Sequence, residues 1–129
     1  MKRHGIYLLE MSVAGVLLLA LMAICVRYFA VTLAQRRALD QRQAAIVEAG
    51  NVMERISAVP WDDLTPEALA ATALSADAKL ALPDAELKID LADGDQKPQS
   101  KRITVSIRWQ DDQGQWVQPL RLAAWRYKL

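Results

Sequence analysis

Cysteine and histidine each occur once in the chain, and glycine and proline five times each. The one thiol, Cys25, lies inside an apolar run and has no mate for an intrachain disulfide, so it reads as a small buried hydrophobe. No proline stands between Ile6 and Val59, so that half of the chain lacks the residue that most sharply ends a helix. No glycine-rich phosphate loop, nucleophile elbow or metal-ligand spacing occurs. Acid and base nearly cancel, with 16 Lys and Arg against 15 Asp and Glu. A chain of 129 residues allows one membrane helix and one small soluble domain, not two globular domains. These absences together predict a protein that is not an enzyme and takes no cofactor.

What the chain does have stands at its start. A short basic tail, Met1-Lys2-Arg3-His4, precedes Gly5-Ile6-Tyr7-Leu8-Leu9-Glu10-Met11, and the apolar run continues to Val26. About 21 residues at 1.5 Å each give roughly 30 Å, enough for a helix to span a bilayer. Glu10 interrupts that hydrocarbon, and a carboxylate there costs about 2.5–3.5 kcal/mol, so it calls for a partner or a role. If the chain were cut after Gly5, the new α-amino group on Ile6 would lie one helical turn from Glu10. The same amine on a neighbouring copy would also reach it.

Glycine, then an apolar residue, then glutamate five places into the cut chain and an apolar helix resembles the type IV pilin and pseudopilin superfamily. The resemblance implies removal of residues 1–5 by prepilin peptidase at the cytoplasmic face. Gly5 is then the last leader residue, Ile6 the N-methylated first residue, and Glu10 the glutamate that sets register during assembly. The chain departs from the pattern at two places: Ile6 stands where the family mostly has Phe, and Tyr7 where it has Thr or Ser. The leader takes Lys2, Arg3 and His4 with it, which turns the formal +1 into −1 and leaves no histidine. That excludes His-dependent acid–base chemistry, most zinc sites and a basic nucleic-acid surface. A plain signal anchor with Glu10 at interfacial depth is the alternative reading of this stretch. A secretory signal peptide is not, because no small-x-small site follows the run before Arg27 and Tyr28.

Lys2 and Arg3 keep the N-terminal end in the cytoplasm by the positive-inside rule. Arg27 and Tyr28 mark the far boundary, so residues from about Thr32 onward are expected in the periplasm, with a transmembrane helix over 6–27 in the inner membrane. An amphipathic extension of the same helix is expected over 28–59. Its stripe is Val31, Ala34, Ala38, Ala45, Ala49, Val52 and Ile56, while Gln35, Arg36, Arg37, Asp40, Gln43 and Glu48 fill the other sides. Pro60 ends it. The helix then has about 50 residues and is roughly 80 Å long. A short parallel coiled coil is the alternative for the outer half, but an alanine-rich stripe suits docking on a sheet better.

Residues 60–129 are expected to form a small α+β head. The Pro60-Trp61-Asp62-Asp63-Leu64-Thr65-Pro66 loop loosely resembles that of the I-type minor pseudopilins of type II secretion and related minor pilins. Thr65 and Pro66 read as N-cap and first turn of a helix through about Leu74. Period-two alternation then predicts antiparallel strands near 85–91, 102–110 and 116–126: Leu87, Ile89, Leu91; Ile103, Val105, Ile107, Trp109; and Leu120, Leu122, Ala124. Trp61 is read as cover for the helix end, and Trp116, Trp125 and Tyr127 as additions to a thin core. The fold class is therefore α+β: a long N-terminal helix on a small antiparallel meander, as in pilins.

Two acidic loops, Asp93-Gly94-Asp95 and Asp111-Asp112, invite a calcium reading, since major pseudopilins bind calcium in a β-region loop. Each offers two close carboxylates where hard cations take about six oxygens, so turn chemistry is the expected role and no metal is assigned. The resemblance implies that the chain works by assembly. Its partners would be other major and minor pilins, met through the N-terminal helix, with a cytoplasmic ATPase and a membrane platform driving extraction. Gly15, Ala14, Ala20 and Ala23 provide small surfaces for helix packing in lipid. Three readings stay open: a minor pseudopilin of a type II secretion-like system, a minor pilin of a type IV or DNA-uptake pilus, and an uncleaved single-pass scaffold.

Overall fold

The computed structural model describes residues 3–95 and 98–128. Met1 and Lys2 of the expected leader lie outside the described residues. Helix α1 runs Arg3–Ser57 without a break. The chain divides into two compact units, Met1–Arg37 and Ala38–Leu129, so the last turns of α1 belong to the head and not to the membrane-type segment.

In the first unit, every described side chain from Gly5 to Val31 is exposed. Its most apolar stretch has a mean hydropathy of 2.4 and is long and apolar enough to cross a membrane. Its hydroxyls are satisfied within the helix: Ser12 Oγ donates to Leu8 O at 2.8 Å, and Thr32 Oγ1 to Tyr28 O at 2.9 Å. Such back-bonding removes the cost of a bare hydroxyl in apolar surroundings.

The head forms because the end of α1 has an apolar face and so does the sheet. Ala45, Ala49, Val52, Met53 and Ile56 share one side of α1 and are buried with Ile103, Val105, Ile107 and Trp109. The expected stripe holds only from Ala45 on, since Val31, Ala34 and Ala38 are exposed. Before Pro60 the helix tightens, with Val59 N donating to Ile56 O at 3.1 Å. The chain then passes through a 3₁₀ turn, Trp61–Asp63, and helix α2, Pro66–Ala70. Thr65 is the N-cap, its side chain accepting from Ala68 N at 3.3 Å, with Pro66 in the first turn.

Helix α2 stops at Ala70, short of Leu74, and a further helix, α3, spans Ala76–Ala81. Ser75 caps α3 by accepting from Ala78 N at 3.1 Å. Leu64, Leu69, Leu74, Ala78 and Leu82 from this region complete the core.

Strands β1 (Glu86–Asp93), β2 (Ser100–Arg108) and β3 (Leu120–Tyr127) form an antiparallel meander in the order β1-β2-β3. Cross-strand neighbours Ile89–Val105–Leu122 and Leu91–Ile103–Ala124 share the face toward the core. Two expectations fail here. The third strand starts at Leu120, and Trp116 makes only an isolated bridge with Gln110. Trp116, Trp125 and Tyr127 are about half exposed and not in the core. The cause for the last two is parity: they point with Arg121 and Ala123, opposite to Leu120, Leu122 and Ala124.

Glu48 is the other correction. Expected on the water side of α1, it is 3% exposed. Its carboxylate accepts from Ser75 N and Ser75 Oγ, both at 2.8 Å, and from Arg55 Nη2 at 3.4 Å. Arg55 also donates to Ala73 O at 3.3 Å, so two side chains of α1 hold the connection between α2 and α3. A carboxylate is tolerated at this depth because donors satisfy it. Glu48→Ala leaves the Ser75 donors unpaired and is expected to destabilise the head by about 3 kcal/mol, read from its thermal unfolding in detergent. Glu48→Gln keeps one acceptor and the volume and should lose less.

Candidate functional site

The residues singled out at the N-terminal end are three positions on one helix. Gly5, Ile6 and Glu10 all lie in α1, and Glu10 is four residues beyond Ile6. Side chains on a helix lean toward its N-terminus, so the Glu10 carboxylate is carried back over the turn that contains Ile6. Along the axis that turn measures about 6 Å. Ile6, Leu9, Glu10, Val13, Ala14 and Leu17 line one continuous shallow face of α1. The carboxylate therefore stands within an apolar surface. Among the described residues it has neither an ion-pair nor a hydrogen-bond partner.

Gly5 is open on all sides: a Cβ there would meet nothing within 4 Å, and the same holds for Gly15. Ala14, Ala20 and Ala23 are small as well, and these positions lie on several sides of α1, each a place where another helix can come close. Cys25 is exposed on the same helix, which corrects the reading of a buried hydrophobe within this chain.

In the head, the acidic loops divide. Asp111 Oδ1 accepts from Gln113 N and Gln115 N, each at 2.9 Å, and Gly114 takes a φ of +73° to close the turn. That carboxylate is spent on its own loop. Asp93 ends β1, and Gly94 N donates to Ser100 O at 2.7 Å across the β1–β2 connection. Among the described residues, no group of three or more His, Cys, Asp or Glu side chains gathers where a metal would sit.

Trp61 is half-buried, with the Lys101 ammonium 4.9 Å from its ring centroid. The same ammonium donates to Leu64 O at 2.9 Å, and Arg126 donates to Val59 O. These two cations close the end of the core over carbonyls freed by the Pro60 loop. Outside, Arg108 lies 4.4 Å from the Trp116 ring and Arg102 lies 5.9 Å from the Trp125 ring. Sequence reading misses this cation–aromatic surface because it sends the aromatics to the core. The parity of β3 is the signal that finds its Trp125 half.

Compared with family models, with characterised proteins and with solved structures, the chain finds no match in any of the three.

Proposed function

We propose that the chain is a single-pass membrane subunit of the pilin class, made as a precursor and built into a filament after cleavage. Within that class we read it as a minor pseudopilin, a structural subunit of the tip of a type II secretion-like pseudopilus. The observation that carries the reading is the order Gly5, Ile6, Glu10 at the start of an uninterrupted α1. Among the described residues the carboxylate there has no partner, and it stands within an apolar face. A compact unit from Ala38 to Leu129 supplies the head such a subunit needs.

In this mechanism the precursor waits in the inner membrane with its C-terminus in the periplasm. Prepilin peptidase hydrolyses the Gly5–Ile6 bond with water, which leaves a carboxylate on Gly5 and a free α-amine on Ile6. The neutral amine takes a methyl group from a sulfonium methyl donor, which departs as a thioether, and the methylated amine is then protonated. Glu10 of an adjacent subunit neutralises that cation in a medium where neither charge is stable alone. The pair fixes axial register while the apolar faces of neighbouring helices pack. The inner-membrane platform moves the subunit, and this chain contributes shape and register.

Intact mass of the protein purified from its native membranes tests the proposal. The expected chain begins at Ile6, with or without one methyl group. Gly5→Trp is expected to leave only full-length precursor, since a bulky residue blocks the cleavage position. A native chain that retains Met1–Gly5, or a Gly5→Trp chain processed normally, rules the class out.

A further inference from the structure

We infer that β3 is the receiving edge for an extended acidic segment of a partner protein, which joins the sheet as a fourth strand. β3 lies in the head, and its use as an edge does not depend on how the N-terminus is processed. It pairs with β2 on one side only, in unbroken register from Ser100–Tyr127 to Ile107–Leu120, and contains no proline. An edge strand of eight regular residues presents a row of unpaired N–H and C=O groups.

The core cover also runs out at this strand. Leu122 points to the inner face yet is 38% exposed, while Val105 beside it is fully buried. An apolar side chain on an added strand would cover it.

Charge selects the occupant. β2 and β3 carry Lys101, Arg102, Arg108, Arg121 and Arg126 and no Asp or Glu. Lys101 and Arg126 bond to loop carbonyls, and Arg108 donates to Glu86 at 2.7 Å. Two guanidinium groups remain on the outer face. Arg102 lies only over the Trp125 ring, and Arg121 has no ion-pair or hydrogen-bond partner among the described residues. A strand that alternates apolar and acidic residues meets both needs, with its apolar side chains beside Leu122 and its carboxylates beside Arg121, while Arg102, one strand further in on the same face, adds positive charge behind it. A second copy of the chain does not. In antiparallel pairing of β3 with itself, Arg121 faces only residues of its own parity in the other copy, Arg121, Ala123, Trp125 or Tyr127, and none of them is acidic.

The test uses the full chain in neutral detergent and a fluorescent peptide of about ten residues alternating valine and glutamate. The expected result is saturable binding, weakened by salt, together with slowed amide exchange in Leu120–Tyr127 and unchanged exchange in β1. Arg102→Glu with Arg121→Glu should weaken binding by about tenfold or more, and Arg121→Gln alone should weaken it in the same direction. Both positions are exposed, so the head should stay folded, which its β1 exchange will report. Equal binding of a valine–lysine peptide overturns the inference, as does protection at β1 in place of β3 or an affinity unmoved by the substitutions. Concentration-dependent protection of β3 without peptide also overturns it, in favour of a second copy.

Discussion

A Val52→Asp chain is expected to lose its folded head. Val52 is fully buried on α1, in one cluster with Ile56, Ile103, Val105 and Ile107. These neighbours are all apolar, so the new carboxylate would be buried among hydrocarbon. An unsatisfied buried polar group costs about 2–7 kcal/mol and a lone charge more. Small domains are stable by only about 5–15 kcal/mol in total. Limited proteolysis of the full chain in membranes should show a head resistant in the native protein and digested in the variant. Val47→Asp is the matched control: it lies on the same helix and is half exposed, and it should stay within about 0.5 kcal/mol of the native chain. Equal resistance of the Val52→Asp head would mean that α1 does not supply the cover of the sheet.

The second large effect is expected at Glu10, and it falls on assembly. Among the described residues Glu10 pairs with nothing, and on its exposed apolar face it adds no contact to the fold. Its removal should leave insertion and processing unchanged or slightly favour insertion. Under the proposed pairing, Glu10→Ala leaves a neighbour's N-terminal cation uncompensated, and breaking a buried ion pair costs about 3–5 kcal/mol. That corresponds to a loss of incorporation of roughly 100-fold or more. Glu10→Asp keeps the charge with a shorter reach and should fall between. Co-purification of the processed subunit with its filament partners, normalised to its level in the membrane, is the measurement. Normal incorporation of Glu10→Ala would remove the register role from this carboxylate.

The elements that periodicity governs are legible in the sequence. A run from Ile6 to Val59 without proline gives α1, and alternation gives three strands in meander order. Glu48 shows where residue type misleads. It lies at i+3 from Ala45 and i−4 from Val52, inside the buried stripe, but a carboxylate reads as a water-facing residue. What makes it tolerable there is Ser75, 27 residues away, and no local pattern announces that partner. α3 escapes notice for a related reason: six residues carry too little periodicity, and its Ser75 cap is the one local sign. Trp125 and Tyr127 are the reverse case, where size suggests burial and strand parity already says otherwise. At the N-terminal end, the positions of Gly5, Ile6 and Glu10 on one helix are legible, because a helix fixes its neighbours by spacing alone. Partners in other chains are not encoded in any spacing.

The ties that close the head span very different lengths of chain. Each strand pairs with its neighbour in sequence, whereas Glu48 reaches Ser75 across 27 residues, Lys101 reaches Leu64 across 37, and Arg126 reaches Val59 across 67. Closing long loops costs more entropy and waits for other contacts to reward it. On these separations the meander is expected to form before the Arg126 clasp onto the Pro60 loop closes. Before the head closes, Ile103, Val105 and Ile107 lack the cover that the buried face of α1 supplies, together with Leu64, Leu69, Leu74, Ala78 and Leu82. Because α1 comes before the strands in the chain, the helix that covers the sheet is already made when the sheet arrives.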